Sequence, residues 1–178
     1  TERLPELGGH DWDMRLADLF AERSIRAHRG DPRESAQGLD RLLQLAVQAK
    51  IALSLRQHTT VSVGVGGQVT NVRITREEFE SMTADLLAQS LALCERLLTQ
   101  VGWKWTDLRR TLLDGGATRM PMVPRALSEC LGYSPESSVA PDEAVARGAA
   151  LFAANLLQIG KGSGHAPQFT LANVSTHS

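Results

Sequence analysis

The sequence predicts an α/β protein in which amphipathic helices accompany a small amount of sheet. The segment "TTVSVGVGGQVTNVRIT", residues 59–75, alternates apolar and polar residues on both sides of a glycine pair, as a β-hairpin does. Elsewhere apolar residues recur at helical spacing over long stretches. "RRTLLDGG" followed by Pro121 has the order strand, glycine turn, helix. With 178 residues, 42% of them apolar, the chain is long enough to bury one sizeable core or two small ones.

Two helices are predicted before the hairpin. The first runs from about Asp11 to His28, with Asp11 and Asp13 as cap and first-turn charges, and it comes after a glycine pair, Gly8 and Gly9, that we interpret as structural. Its inward residues are Trp12, Leu16, Leu19 and Phe20. The second is long, starts at Ser35 and turns inward Leu39, Leu42, Leu43, Ala46, Ala49 and Leu53. The hairpin after it is expected to be bulged near Val69.

A third helix is expected from Arg76 to Gly102, because Thr75 and Glu78 have the spacing of a capping box. The residues predicted to face inward are Phe79, Met82, Leu86, Leu87, Cys94, Leu97 and Leu98. After the strand "RRTLLDGG" a helix is predicted from Pro121 to about Leu131, where Gly132 closes it.

The last part of the chain is predicted to hold a strand-like piece and a helix. The piece is "SSVA", residues 137–140, and the helix starts at Pro141 with acidic residues in its first turn. After Ile159 the composition changes to "GKGSGHAPQ", a flexible linker, and then to "FTLANVSTHS".

Composition argues against several classes of partner. The 19 basic and 20 acidic residues nearly cancel, so no nucleic-acid or membrane partner is expected, and the chain is expected to be cytoplasmic. Cys94 and Cys130 are interpreted as reduced core thiols, and the histidines show no metal spacing. Trp12, Trp103 and Trp105 are interpreted as packing residues rather than as a platform for bases.

The glycine turn is the strongest candidate for a ligand site. A turn from a strand into a helix offers free N–H groups, and glycines let a phosphate approach the main chain. Gly115 and Gly116 therefore either cradle a phosphate or only permit positive φ in a tight turn, and spacing alone does not decide between these. Arg119 taken alone fits a surface ion pair better than a ligand clamp.

Five segments together resemble the heat-shock protein 70 (DnaK) chaperones. In chain order they are "LGGHDWDMRL", "AKIALS", "ITREEFESM", "LLDGGATRMPMV" and "PDEAVARGAA", within residues 6–157. The resemblance implies the second lobe of an actin-like ATPase domain, a mixed sheet with flanking helices plus a smaller helix–hairpin–helix subdomain. Residues 1–28 and 100–158 would form the larger subdomain, 29–99 the smaller one, and 159–178 a linker and the entry to a peptide-binding domain.

The same resemblance implies an adenine nucleotide, ATP or ADP, bound between the subdomains. By the family's motifs the cofactor-binding residues would be Lys50, Ile51, Ser54, Gly115, Gly116, Arg119, Met120 and Asp142. Two positions depart from the family, Val47 where a glutamate is usual and Ala117 where a hydroxyl or amide is common. No catalytic or metal-binding residue is assigned, since the family's phosphate loops, catalytic lysine and magnesium-linked aspartates lie upstream of residue 1.

The resemblance further implies a role in protein folding and the stress response. Its partners would be the first lobe, a nucleotide-exchange factor, a J-domain co-chaperone and unfolded peptides, and the chain alone is expected not to hydrolyse ATP efficiently. The alternative is a non-catalytic interaction module with a vestigial nucleotide site, which Val47 and Ala117 favour. A sugar or acetate kinase lobe of the same superfold is a more distant possibility.

Overall fold

The computed structural model describes residues 7–28, 30–136 and 143–159, which form six α-helices and one β-hairpin. The helices are α1 (Gly9–His28), α2 (Ala36–Leu55), α3 (Arg76–Met82), α4 (Ala84–Gln100), α5 (Met122–Leu131) and α6 (Ala144–Ile159), and the strands are β1 (His58–Val65) and β2 (Gln68–Thr75). Short 3₁₀ turns occupy Pro32–Glu34, Trp105–Asp107 and Gly116–Arg119. The predicted strand 137–140, the helix start at Pro141, the linker and "FTLANVSTHS" lie outside the described residues.

The hairpin is regular along its whole length. Its antiparallel register runs without interruption from His58 opposite Thr75 to Val65 opposite Gln68, so the predicted bulge near Val69 is wrong. Gly66 and Gly67 have φ of 56° and 79° and close a two-residue turn. A turn of that hand matches the right-handed twist of the strands, and no extra residue is needed to fit them together.

Replacing Gly67 by alanine is expected to lower the free energy of unfolding by about 1–2 kcal/mol, because a Cβ is disfavoured at positive φ. Gly64→Ala is the matched control, since a Cβ there meets only the carbonyl oxygen of Gln68 at 3.8 Å. Urea unfolding monitored by circular dichroism measures both variants. Equal losses would mean that the turn does not depend on glycine at residue 67.

A single buried core joins α1 and α2 to the hairpin, to α3 and α4, and to the start of α5. Its larger members are Trp12, Leu16, Phe20, Leu42, Leu53, Val61, Val63, Val72, Ile74, Phe79, Leu86, Met120 and Met122. The inward faces predicted for α1 and α2 are confirmed, and Ser35 caps α2 by accepting from the N–H of Gly38. One core containing residues of both α1 and the hairpin does not show where one subdomain ends and the next begins. The predicted subdomain boundaries at residues 28 and 100 therefore stay a prediction.

The third predicted helix is in fact two helices. Thr75 Oγ1 accepts from the N–H of Glu78 at 3.1 Å, which is one half of the predicted capping box. The Glu78 carboxylate, predicted to supply the other half, pairs with Arg23. The helix then ends at Met82, since Thr83 leaves helical geometry with φ of −118° and ψ of 10°. The Thr83 hydroxyl donates to the carbonyl of Phe79 at 2.8 Å. Such a bond does not end a helix by itself, since Ser90 makes the same one to the carbonyl of Leu86 within α4.

Beyond Leu87 helix α4 leaves the core. Cys94 and Leu97, both predicted to be inward, are exposed, and Cys130 is only half-buried, so neither cysteine is a core thiol. Both are free. Although Cys94 is exposed, partial desolvation of its thiol raises the pKa of Cys94, with the neighbouring Cys130 as a smaller cause. Trp103 is also exposed, unlike the buried Trp12.

The predicted strand before the glycine turn is reduced to one parallel bridge. The Glu136 N–H donates to the carbonyl of Thr111, and the Glu136 carbonyl accepts from the N–H of Leu113. In the described part of the chain no further strand extends this pairing into a mixed sheet. The Arg110 guanidinium donates two hydrogen bonds, of 2.8 and 2.6 Å, to the Glu136 carboxylate, and this pairing lowers the pKa of Glu136. Helix α5 comes next, as predicted, and Gly132 caps its C-terminus in the left-handed backbone conformation, with φ of 75°.

Candidate functional site

A cleft of about 590 Å³ lies between the last two turns of α2 and the segment from Leu113 to Pro124. Its lining residues are Lys50, Ile51, Ser54, Leu55, Leu113, Gly116, Thr118, Arg119, Met120, Pro124 and Pro135. The structure thus brings six of the predicted site residues to one place, namely Lys50, Ile51, Ser54, Gly116, Arg119 and Met120. Gly115 is not among the lining residues, and Asp142 lies outside the described residues.

The α2 wall of the cleft is aliphatic. Val47, Ile51 and Leu55 succeed one another at intervals of four residues and are 39%, 57% and 80% exposed, whereas Leu42 and Leu53 are buried in the core. Residues four apart lie along one face of a helix, so these three form a single exposed row beside the cleft. Such a surface suits the flat face of an aromatic ring, because pockets for small ligands are lined mainly by apolar groups.

Arg76, the first residue of α3, holds the end of this wall. Its guanidinium donates to the carbonyls of Leu53 at 2.7 Å and Ser54 at 3.3 Å, and its N–H donates to the carbonyl of Gln57. A cation at a helix C-terminus satisfies the last carbonyls and interacts favourably with the helix dipole. This role of Arg76 was not predicted, since nothing in the α2 sequence indicates a partner located beyond the hairpin.

Lys50 is fixed at the deep side of the cleft. Its Nζ donates to Asp13 Oδ2 and to the carbonyl of Gly9, both at 2.8 Å, and the two side chains are only 14% and 8% exposed. Asp13 is therefore not the first-turn charge that was predicted, because it lies in the second turn of α1 and its side chain pairs with Lys50 of α2. Asp11 is not the N-cap that was predicted but the third residue of α1, and its carboxylate reaches back to accept from the N–H of Gly8 at 2.8 Å.

Gly9 lies where a side chain would press against the ammonium end of Lys50. A Cβ built on it would lie 3.2 Å from Lys50 Nζ, which is closer than most side chains approach, and 3.8 Å from the Cβ of Ala117, which is an ordinary contact. Helix α1, helix α2 and the glycine turn therefore meet at Gly9, Lys50 and Ala117. The first glycine pair does start a helix, as predicted, and it also leaves room for the lysine.

The two residues of the second glycine pair, Gly115 and Gly116, have different places. Gly115 shapes the turn, and Gly116 lines the cleft. Gly115 has φ of 87° and its N–H is bonded to Asp114 Oδ1 at 2.8 Å, so this residue serves the turn conformation. Gly116 lines the cleft and begins the 3₁₀ turn, which Thr118 tightens by donating its hydroxyl to the Gly115 carbonyl at 2.7 Å. The first N–H groups of such a turn have no partner within it.

Some of the remaining residues that line the cleft could be predicted from the sequence, and others could not. Arg119 is exposed at the cleft, whereas Met120 is 2% exposed and belongs mainly to the core. Leu55 comes one helical turn after Ile51, so helical periodicity alone could have placed it beside Ile51 on the same face. Leu113, Thr118, Pro124 and Pro135 were missed, because their place depends on how α5 and the parallel bridge fold back.

Neither a metal cluster nor a membrane span is found in the described residues. Within ranges 7–28, 30–136 and 143–159, no group of three or more His, Cys, Asp or Glu side chains has the arrangement of a metal site. Nor does any helix in those ranges combine the length and apolar character that crossing a bilayer requires.

Comparison with known proteins agrees with the family resemblance of the five sequence segments. The family model described as "Hsp70 protein" matches residues 1–177. "Chaperone protein DnaK" from Thermotoga petrophila is 44% identical over 157 residues, covering 84% of this chain and 26% of the relative. The same-named protein from Halobacterium salinarum is 40% identical, with 82% and 24% covered, and that from Trichormus variabilis is 36% identical, with 82% and 22% covered. The chain thus spans about a quarter of the length of these relatives. It belongs to the Hsp70 protein family.

Proposed function

We propose that this chain forms the adenosine-side half of the ATP/ADP site of an ATP-dependent chaperone. The observation that carries the proposal is the cleft in which Lys50 and Ile51 of α2 face Gly116 and Arg119 of the glycine turn. Its volume of about 590 Å³ lies within the usual range of small-ligand pockets, roughly 300–1,000 Å³.

The chemistry of the lining suits a nucleotide. The aliphatic Ile51 and Leu55 offer a face for the base, and Ser54 carries a hydroxyl at the edge of that face. Lys50 and Arg119 are cations on opposite sides of the cleft, and cations attract the ribose hydroxyls and the phosphates. Gly115 and Asp142 complete the proposed site, the former through the turn that it shapes.

The role of the whole protein is part of the proposal, since the relatives are about four times as long as the matched region. Phosphoryl transfer needs metal-holding carboxylates and a cation at the terminal phosphates. In the proposal these, with Mg²⁺, come from the other lobe of the nucleotide-binding domain, and closure on ATP is relayed to a peptide-binding domain. A nucleotide-exchange factor, a J-domain co-chaperone and unfolded peptides are the proposed partners, in the cytoplasm.

A non-catalytic interaction module is the competing proposal. Two observations favour it: Val47 supplies no polar group to the wall, and two of the donors of Lys50 are already used by the protein itself. The two proposals differ in whether the cleft binds nucleotide at all.

Calorimetric titration of the 178-residue chain with ADP separates them. Saturable binding is expected, and Ile51→Glu is expected to weaken it at least tenfold, because the new carboxylate removes apolar surface and repels the phosphates. Leu97→Glu is the matched control: Leu97 is 50% exposed on α4, close to the 57% of Ile51, and does not line the cleft. It is expected to leave the affinity unchanged.

The possible results of the ADP titration distinguish the nucleotide site from the interaction module. Binding that only the Ile51 variant loses would support the nucleotide site. Equal weakening by both variants would attribute the effect to net charge, and no heat at millimolar ADP would favour the interaction module.

A further inference from the structure

The carboxylate of Asp13 has one side-chain partner, and that partner is a cleft residue. Asp13 is 5% exposed, its Oδ2 accepts from Lys50 Nζ, and its Oδ1 has no hydrogen-bond partner among the described residues. Burying a carboxylate is costly unless an opposite charge compensates it. In the described part of the chain the compensation comes from Lys50 alone.

The position of Lys50 is determined more tightly than that of an ordinary lysine at a pocket wall. A free lysine has four rotatable bonds, and ordering them on ligand binding costs free energy. Here the Asp13 carboxylate and the Gly9 carbonyl already hold the ammonium group at 2.8 Å each. An ammonium has three N–H donors, so one remains after these two bonds.

The pair also lies at a junction of three elements. Gly9 belongs to α1, Lys50 to α2, and Ala117, next to Gly9, to the 3₁₀ turn that contributes Gly116 and Arg119 to the cleft. Any shift of the Lys50 ammonium would therefore alter its distance to a group bound against that turn.

We infer that Asp13 is a positioning residue of the nucleotide cleft, which holds the Lys50 ammonium so that its third N–H is directed to a hydroxyl or phosphate oxygen of the bound nucleotide. This inference rests on the proposed function. Asp13 acts through Lys50 and does not itself touch the ligand, since its carboxylate is buried behind the ammonium group. The benefit to binding is pre-organisation, because the ordering of the lysine is completed before the ligand arrives.

The test compares Asp13→Asn with Asp18→Asn in the 178-residue chain. Asp18 lies on the same helix and also accepts from a cation, Arg33, at 2.9 Å, but its side chain is 50% exposed and it is not among the cleft lining. Asparagine keeps the shape of aspartate and removes the charge. The dissociation constant for ADP is expected to rise about tenfold in the Asp13 variant and to stay within about twofold in the Asp18 variant, by calorimetry.

A second measurement starts from the unmutated chain, and this first part of it does not depend on the folding of a variant. Nitrogen-15 NMR of lysine ammonium groups is expected to show a slowly exchanging Lys50 signal without ligand, which shifts on ADP addition. In Asp13→Asn that signal is expected to be lost to solvent exchange.

The results distinguish the inference from its premise. Unchanged ADP affinity in Asp13→Asn, or a Lys50 signal that ADP does not shift, would overturn the positioning role while leaving the nucleotide site in place. A lower melting temperature of Asp13→Asn with unchanged affinity would make the pair a purely structural one. Failure of the unmutated chain to bind ADP would overturn the proposed function itself.

Discussion

Replacement of Lys50 by methionine is expected to lower the free energy of unfolding by about 3–5 kcal/mol, as measured by urea unfolding at neutral pH. The methionine fills much of the same space, so the loss comes from charge rather than from a cavity. It leaves the Asp13 carboxylate buried at 5% exposure with neither of its oxygens paired. Removing one partner of a buried ion pair costs far more than removing one partner of an exposed pair.

Arg15→Met provides the control for that measurement. Arg15 pairs with Asp85 at 2.6 Å, but the two side chains are 44% and 47% exposed, so a loss of about 0–1 kcal/mol is expected. Similar losses in the two variants would contradict the burial of the Asp13–Lys50 pair. A loss for Lys50→Met that vanishes when Asp13 is also changed to asparagine would identify the unpaired carboxylate as the cause.

The second large effect is expected from Phe20→Ala, which should cost about 3–5 kcal/mol. Phe20 is fully buried on α1 in the core that α1 shares with α2 and the hairpin. Removing the ring takes away its burial and leaves a cavity that the surrounding helices fill only in part. Thermal unfolding and urea unfolding should both report the loss.

Phe152→Ala is the matched control for the core substitution. Phe152 is 46% exposed on α6, where Leu151 and Leu156 are exposed as well. A much smaller loss is expected, because much of the ring is already in water. If both phenylalanine variants lost the same stability, α6 would be packed against the remainder of the chain.

The fold elements were predictable where one local pattern decides them. The stripe of Leu42, Ala46 and Ala49 and the alternating valines of the hairpin each require only one periodicity, and both are confirmed. Thr83 shows the limit of this reasoning. A threonine inside an apolar helix pattern gives no sign that the backbone leaves helical geometry at that residue and separates two helices.

The cleft was predictable to the extent that it depends on short motifs. Gly116 and Arg119 lie in one motif and Lys50 and Ile51 in another, and the structure brings both motifs to one cleft. Leu113 and Pro135 come from segments whose position is set by the bridge between Leu112 and Glu136. The partnership of Asp13 with Lys50 spans 37 positions, and no local pattern contains it.

The contact of Arg76 with the end of α2 has a consequence for local opening. The last turn of a helix ordinarily frays, and its amide protons then exchange with solvent far faster than those of the middle turns. Here the carbonyls of Leu53 and Ser54 are bonded to a guanidinium that β2 and α3 hold in place. Amide protons in the last turn of α2 should therefore exchange nearly as slowly as those of its centre, so that Ser54 and Leu55 present a firm surface even before a ligand arrives.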